Sequence, residues 1–242
     1  MRVADLVLII GGFVIAGAIK GATGLGFASC ALPFLAASVG LERAMCLIAL
    51  PALLTNIGSA LTTGHLLETA HRFRWLYLSM FPGIGAGIWL LLCIDRNWAI
   101  RGLSISIVSY SVFALWRPNL ALPQQHTNWL QIPAGLLNGV LTGLTGAQVM
   151  PLLPYVMSLK MDDDRTVQAI NLAVALASSV LTIGLVSTGL LTPELMVFSA
   201  IAVVPAMTGV AIGRRVRQKI PRDHFRTIIL LVLLLLGAQL WL

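Results

Sequence analysis

Apolar stretches follow one another along this chain from Leu6 to Leu242 with hardly an interruption, and their lengths fall into two classes. A bilayer core of roughly 30 Å takes about 20 helical residues to cross. Six runs meet that length, at residues 44–63, 75–94, 99–116, 166–188, 194–213 and 224–242. Four others, 6–19, 27–41, 129–141 and 147–159, are too short to cross comfortably. The short runs come as two pairs, and each pair meets at a glycine-rich stretch: GAIKGATGLGF at 17–27 and GVLTGLTGAQV at 139–149. Short apolar segments joined at glycines, in corresponding places of two halves, predict broken or re-entrant helices that build one site from two related elements.

The halves align beyond these breaks. At a shift of 122 positions Gly17 falls on Gly139, Gly21 on Gly143, Thr23 on Thr145, Gly24 on Gly146, Glu42 on Asp164 and Arg43 on Arg165. With small length changes Phe81-Pro82 matches Val204-Pro205, and Leu115-Trp116 matches Leu240-Trp241. The expectation is an all-α polytopic membrane protein of two five-segment repeats, 1–122 and 123–242, each with one short broken pair and three full spans.

Composition supports the same class. Hydrophobic residues are 58% of the 242 and charged residues 10%, too few to cover a soluble domain of this size. The first run lacks a small-residue cleavage site and is read as a retained segment rather than a signal peptide. Cys30, Cys46 and Cys93 suit neither a disulfide framework nor a metal site, and the four histidines are scattered, so no metal or other cofactor is expected.

Basic residues give the sidedness. If every segment crosses, or each short pair returns to its own side, one face collects Lys20, Arg72, Arg74, Arg117, Lys160, Arg165 and the cluster at 214–226, twelve of the sixteen basic residues. That face is cytoplasmic by the positive-inside tendency, with both termini outside. An arrangement in which only the second member of each pair is re-entrant gives the same twelve-to-four split. The loop after the third segment is basic in the first half and not in the second, while the loop after the fourth is far more basic in the second. Opposite bias at equivalent loops favours inverted repeats. The net charge of +7 arises mostly at 214–226, where orientation and contact with anionic membrane lipids account for it, so nucleic acid is not an expected partner. A homo-oligomer stays open.

The candidate site follows from the breaks. Gly17-x-x-x-Gly21 and Gly139-x-x-x-Gly143 read equally as close helix packing. The denser glycines, with Gly24, Gly26 and Gly146, disfavour continuous helix and free backbone groups that must line protein or a wet cavity. Helix N-termini after each break favour anions, and Thr23, Thr142, Thr145 and Gln148 add hydrogen-bonding groups. Lys20 either snorkels to an interface or faces the cavity as a counter-charge, and Thr142 takes its place in the second half. Arg43 and Arg165 open the third segment of each half beside first-turn acids, which fit helix-dipole compensation; the arginines serve structure or gather anions. Asn56, Asn171 and Ser178 lie on polar stripes that suit interhelical hydrogen bonding or solute contact. The candidate solute-binding set is therefore Lys20, Gly21, Thr23, Gly24, Gly26, Arg43, Asn56, Thr142, Gly143, Thr145, Gly146, Gln148, Arg165, Asn171 and Ser178.

No nucleotide-binding G-x-x-x-x-G-K-[ST], H-E-x-x-H or G-x-S-x-G motif is present, and no enzyme is expected. All nine acids lie at run edges, so no mid-membrane carboxylate is on hand for a proton relay.

The doubled element, GATGLGFASCALPFLAASVGLERAMCLIALPALLTNIGSALTTG and its echo GLLNGVLTGLTGAQVMPLLPYVMSLKMDDDRTVQAINLAVALASSVLTIGLVSTG, resembles the sulfite exporter TauE/SafE family over essentially the whole chain. The resemblance implies a permease in the plasma (inner) membrane of a bacterium or archaeon that exports a sulfur oxyanion or organosulfonate such as sulfite or sulfoacetate. By position it carries the family's glycine elements onto Gly21, Gly24, Gly26, Gly143 and Gly146, and a following proline onto Pro33. Phe27 and Ala147-Gln148 stand where the family often has further glycine, which points to an altered pocket. The expected mechanism is secondary or potential-driven alternating access at a midplane site between the repeats. The alternative from another class is a membrane scaffold that docks a partner protein on the basic loop at 214–226.

Overall fold

The computed structural model describes residues 3–24, 26–61, 64–116, 124–216 and 222–241. Among them are eleven α-helices and no strand: α1 (Val3–Thr23), α2 (Phe27–Val39), α3 (Leu41–Ala60), α4 (Leu66–Arg72), α5 (Arg74–Cys93), α6 (Arg96–Trp116), α7 (Gln124–Thr145), α8 (Leu152–Ser158), α9 (Asp163–Ser187), α10 (Pro193–Val216) and α11 (Arg222–Gln239). Five of these, α3, α5, α6, α9 and α10, are long and apolar enough to cross a bilayer.

The short pairs differ from the expectation in one respect. Their first members, α1 and α7, run 21 and 22 residues, about 31 and 33 Å at the α-helical rise, the length of a full span. Only the second members are short, 13 residues in α2 and 7 in α8. The physical reason lies in the glycines at 17, 21, 139 and 143, which stay helical because each is covered by a neighbouring helix. A Cβ on Gly17 would meet the backbone of Ala206 and Gly209, and one on Gly21 the backbone of Val210 and Arg214, all in α10. Gly139 and Gly143 meet the backbone of α5 at Met80, Gly83, Ile84 and Gly87 in the same manner. Small-residue seams of this kind let two backbones approach closely, which is how helices associate in lipid.

These contacts also set direction. Residue numbers rise together across α1 and α10 and across α5 and α7, so each pair is parallel. In α3 and α9 they run oppositely: Gln168, near the start of α9, donates to the carbonyl of Ala60 at the end of α3 over 2.7 Å, and the Cys46 thiol near the start of α3 reaches Leu190 beyond the end of α9. The α6–α11 pair is antiparallel as well, with Ser104 Oγ donating to the Gly237 carbonyl at 2.6 Å and the Arg101 guanidinium over the Trp241 ring.

The α3–α9 pair lies at the centre. Leu41, Ala44, Met45 and Ala52 of α3 and Ala169, Ala173, Ala177 and Leu185 of α9 are buried in one continuous apolar core with Phe13, Phe27, Leu76 and Leu103. Trp89, Ile183, Ile201, Val204 and Ile212 are instead exposed on the outer helix faces. Apolar surface on this scale is what lipid tails cover.

Candidate functional site

Both breaks are made by glycines in the left-handed region. Gly24 and Gly26 have φ of 83° and 85°, and Gly146 has φ of 75°. A side chain is strained there. The amides of Gly24 and Gly146 close the last turns of α1 and α7 on the carbonyls of Lys20 and Thr142. Thr145 strengthens the second break, since its hydroxyl donates to the Leu141 carbonyl at 2.6 Å and accepts from the Ala147 amide at 3.1 Å. Gly26 then starts α2 with no side-chain cap, so the first amides of that helix have no partner within it.

Those amides border a cavity. It is lined by Gly26, Phe27, Ala28 and Ser29 from the start of α2, by Asn56 of α3, Tyr110 of α6 and Gln148 of the second break, and by Ile170 and Val174 of α9. Its empty volume, the open space at its mouth included, is about 390 Å³. The Ser29 hydroxyl beside it is buried and has no hydrogen-bond partner among the described residues. A second cavity of about 240 Å³ is lined by Gly146, Gln148 and Ser178 together with apolar groups such as Leu32, Met45 and Ala49. Gln148 lines both. The α9 residues facing the two cavities, 170 and 174 in one and 178 and 181 in the other, straddle the middle of that helix, which runs from 163 to 187.

A polar cluster stands at each break. In the first, Lys20 is 1% exposed and its Nζ donates to Asn56 Oδ1 at 2.6 Å and Asn171 Oδ1 at 2.9 Å. The amide nitrogens of the two asparagines are taken up elsewhere: Asn56 donates to the Ala52 carbonyl, and Asn171 to the carbonyls of Val167 and Gly24. With both NH₂ groups committed to carbonyls, both oxygens must face the lysine. Lys20 therefore does not snorkel. Among the described residues no carboxylate lies within ion-pair distance of it, so its partners are neutral. In the second cluster Gln148 Nε2 donates to Ser178 Oγ at 3.1 Å, both side chains being buried. Asn171 and Ser178 are seven residues apart on α9, so the clusters are separated by about 10 Å along it.

Other members of the sequence-derived set fall outside this centre. Gly21 and Gly143 serve the helix seams described above. Thr23 donates to the Ile19 carbonyl on its own helix. Thr142 is fully buried and bonds across the second break to the Ala147 carbonyl at 3.3 Å. Arg43 is exposed in the first turn of α3. Arg165, at the start of α9, pairs with Glu68 at 3.4 Å and Asp162 at 3.2 Å, tying α4 to the start of α9. Of the basic loop at 214–226, residues 217–221 lie outside the described residues, as does Arg117. No group of His, Cys, Asp or Glu among the described residues could hold a metal.

Ser29 and Tyr110 at this centre, and Gln131 and Asn138 further along α7, are polar groups not in the sequence-derived set. For Asn138 a signal existed: it lies four residues before Thr142 and seven before Thr145, the helical spacing that puts all three on one face.

Long helices with apolar outer surfaces, packed around a buried polar centre at two broken ends, define an integral membrane protein. The model of the sulfite exporter TauE/SafE family matches residues 8–240, nearly the whole chain, and the chain belongs to that family of membrane transporters for sulfur anions such as sulfite. No curated protein and no solved structure matches it significantly.

Proposed function

We propose that this protein exports a small sulfur-containing anion, sulfite or an organosulfonate such as sulfoacetate, by alternating access around the cavity between its two glycine breaks. The observation that carries the reading is Lys20. A buried lysine at membrane depth costs roughly 2.5–3.5 kcal/mol on insertion scales. Two amide oxygens offset part of that cost and leave the positive charge unneutralised. An anion entering beside Asn56 supplies the missing charge. The uncapped start of α2, with the Ser29 hydroxyl, gives it further donors, and Gln148 closes the cavity from the other break.

The helix directions support inverted repeats at 1–122 and 123–242. Under the 122-residue shift α1 corresponds to α7 and α5 to α10, so the parallel α1–α10 seam becomes the parallel α7–α5 seam when the halves are exchanged. The equivalent central helices α3 and α9 are antiparallel, as are α6 and α11. An arrangement with four crossings per half would make both pairs parallel. In the inverted arrangement the Lys20 cluster lies on the side of the cavity toward the basic, cytoplasmic loops, where it meets an anion coming from inside. With the interior negative, each exported charge gains about 2.3 kcal/mol per 100 mV, a factor of roughly 50 in concentration, so no coupling ion is required.

The test is efflux of labelled sulfite from proteoliposomes under an imposed potential, with sulfoacetate, taurine and sulfate as competitors. Potential-dependent efflux that one competitor blocks is the expected result. Efflux by Lys20→Met equal to that of the parent protein overturns the assignment of the site, and absence of transport across the panel by correctly inserted protein overturns the function.

A further inference from the structure

The buried face of α7 carries a line of polar side chains that the site as described uses only at one end. Gln131, Asn138, Thr142 and Thr145 recur at intervals of seven, four and three residues, which keeps them on one face, and Gln148 follows in the break. All five are at most 3% exposed. The line begins at the junction of α4 and α5, where Gln131 donates to the Arg72 carbonyl at 3.1 Å and accepts from the Leu76 amide at 3.3 Å. It ends in the cavity, where Gln148 meets Ser178.

Asn138 is the member without a partner. It is fully buried, and among the described residues neither its amide nitrogen nor its amide oxygen has a hydrogen-bond partner. A buried carboxamide with both ends unpaired is costly wherever it sits, and in a membrane protein such a group is retained where water or a solute reaches it. Helix packing does not demand it. The residues aligned with Gln131 and Asn138 in the first half are Ile9 and Ala16, both apolar and both buried in α1, which packs on α10 through the same kind of glycine seam.

We propose that the α7 line is the path by which the anion and its hydration water pass between the central cavity and the membrane face bearing the α4–α5 junction, with Asn138 as an intermediate station whose amide binds the permeating oxyanion. Along this line Asn138 stands about 10 Å from Gln131 and a similar distance from Thr145. The first half has no such line, so the protein admits solute along α7 on this face and not along α1. This rests on the anion-transport reading above, and the test separates the two.

One arm uses cysteine accessibility in nanodiscs, with Cys93, the exposed native thiol, replaced by serine. Asn138→Cys is expected to react with a small anionic, sulfonate-bearing methanethiosulfonate reagent, and Ala16→Cys, equally buried on α1, is expected to stay unreactive. Reaction at neither position, or at both alike, overturns the path whether or not a substrate is known. The other arm uses Asn138→Leu. Its melting temperature is expected to equal or exceed that of the parent protein, because an unpaired polar group has been removed. Stabilisation by added sulfite is expected to persist while sulfite efflux falls at least tenfold, and Asn138→Ser is expected to recover part of the rate. Undiminished efflux in Asn138→Leu, or a melting temperature lowered by several degrees, overturns the station. Failure of the parent protein to bind or move any anion removes the functional reading and leaves the accessibility arm to decide whether a water path exists.

Discussion

Lys20 shows how much a single buried charge can say when its partners are known. Its ammonium holds the end of α1 to Asn56 of α3 and Asn171 of α9, and Asn171 in turn holds the carbonyl of Gly24, so one side chain connects three helices and the first break. Lys20→Met removes the charge and keeps the bulk. Removing one partner of a buried polar cluster strands the two amide oxygens at about 1–3 kcal/mol each, while relief of the ammonium's own desolvation offsets part of that cost. The variant is therefore expected to insert and fold with modest loss of thermal stability. Its anion efflux is expected to fall at least about tenfold, the equivalent of one charge-assisted hydrogen bond. Gly24→Ala tests the break itself: a side chain at φ of 83° costs about 1–2 kcal/mol, with Val167 the nearest neighbour at 3.6 Å. Thermal unfolding is expected to register that strain, and transport is expected to suffer more than stability because the break borders the cavity.

At the scale of the helices the glycines divide into two kinds that the sequence does not mark differently. Those at 17, 21, 139 and 143 lie in parallel seams, where a larger side chain runs into the facing backbone. Those at 24, 26 and 146 end helices or begin them. Gly143→Leu is expected to force α7 off α5, with an overpacking cost of about 1–3 kcal/mol or more, seen as lost thermal stability and reduced yield of inserted protein. The length of α1 and α7 belongs to the same scale. Apolar run length stopped them at Ile19 and Leu141, yet both helices continue to threonines at 23 and 145 because buried partners take up the polar residues of the last turn.

For the molecule as a whole, the helix directions give a sidedness that labelling can check. Single cysteines at His65 and Lys160 are expected to react with an impermeant thiol reagent from one side of the membrane, and cysteines at Asn97 and Gly189 from the other. The first two positions lie just before α4 and α9, which the Glu68–Arg165 ion pair joins, and the second two near the opposite ends of α5 and α9. Reaction of His65 and Gly189 from the same side would overturn the inverted arrangement.

What the sequence determined by itself was the class of the molecule, because apolar run length and scarcity of charge are local properties that need no partner to be read. The two breaks were legible for the same reason, glycine density being a statement about backbone conformation, and the family resemblance rested on their doubling. Tertiary structure decided which candidate residues come together. Whether Lys20 reached an interface or stayed inside depended on Asn171, 151 positions away, and the candidacy of Arg165 for anion binding met an ion pair with Glu68 of α4. Burial and pairing between remote residues are set by how the helices cross, and no pattern along one helix contains that information. Asn138 lies between the two cases: its helical spacing placed it on the polar face of α7, but only the packed fold left its amide without a partner.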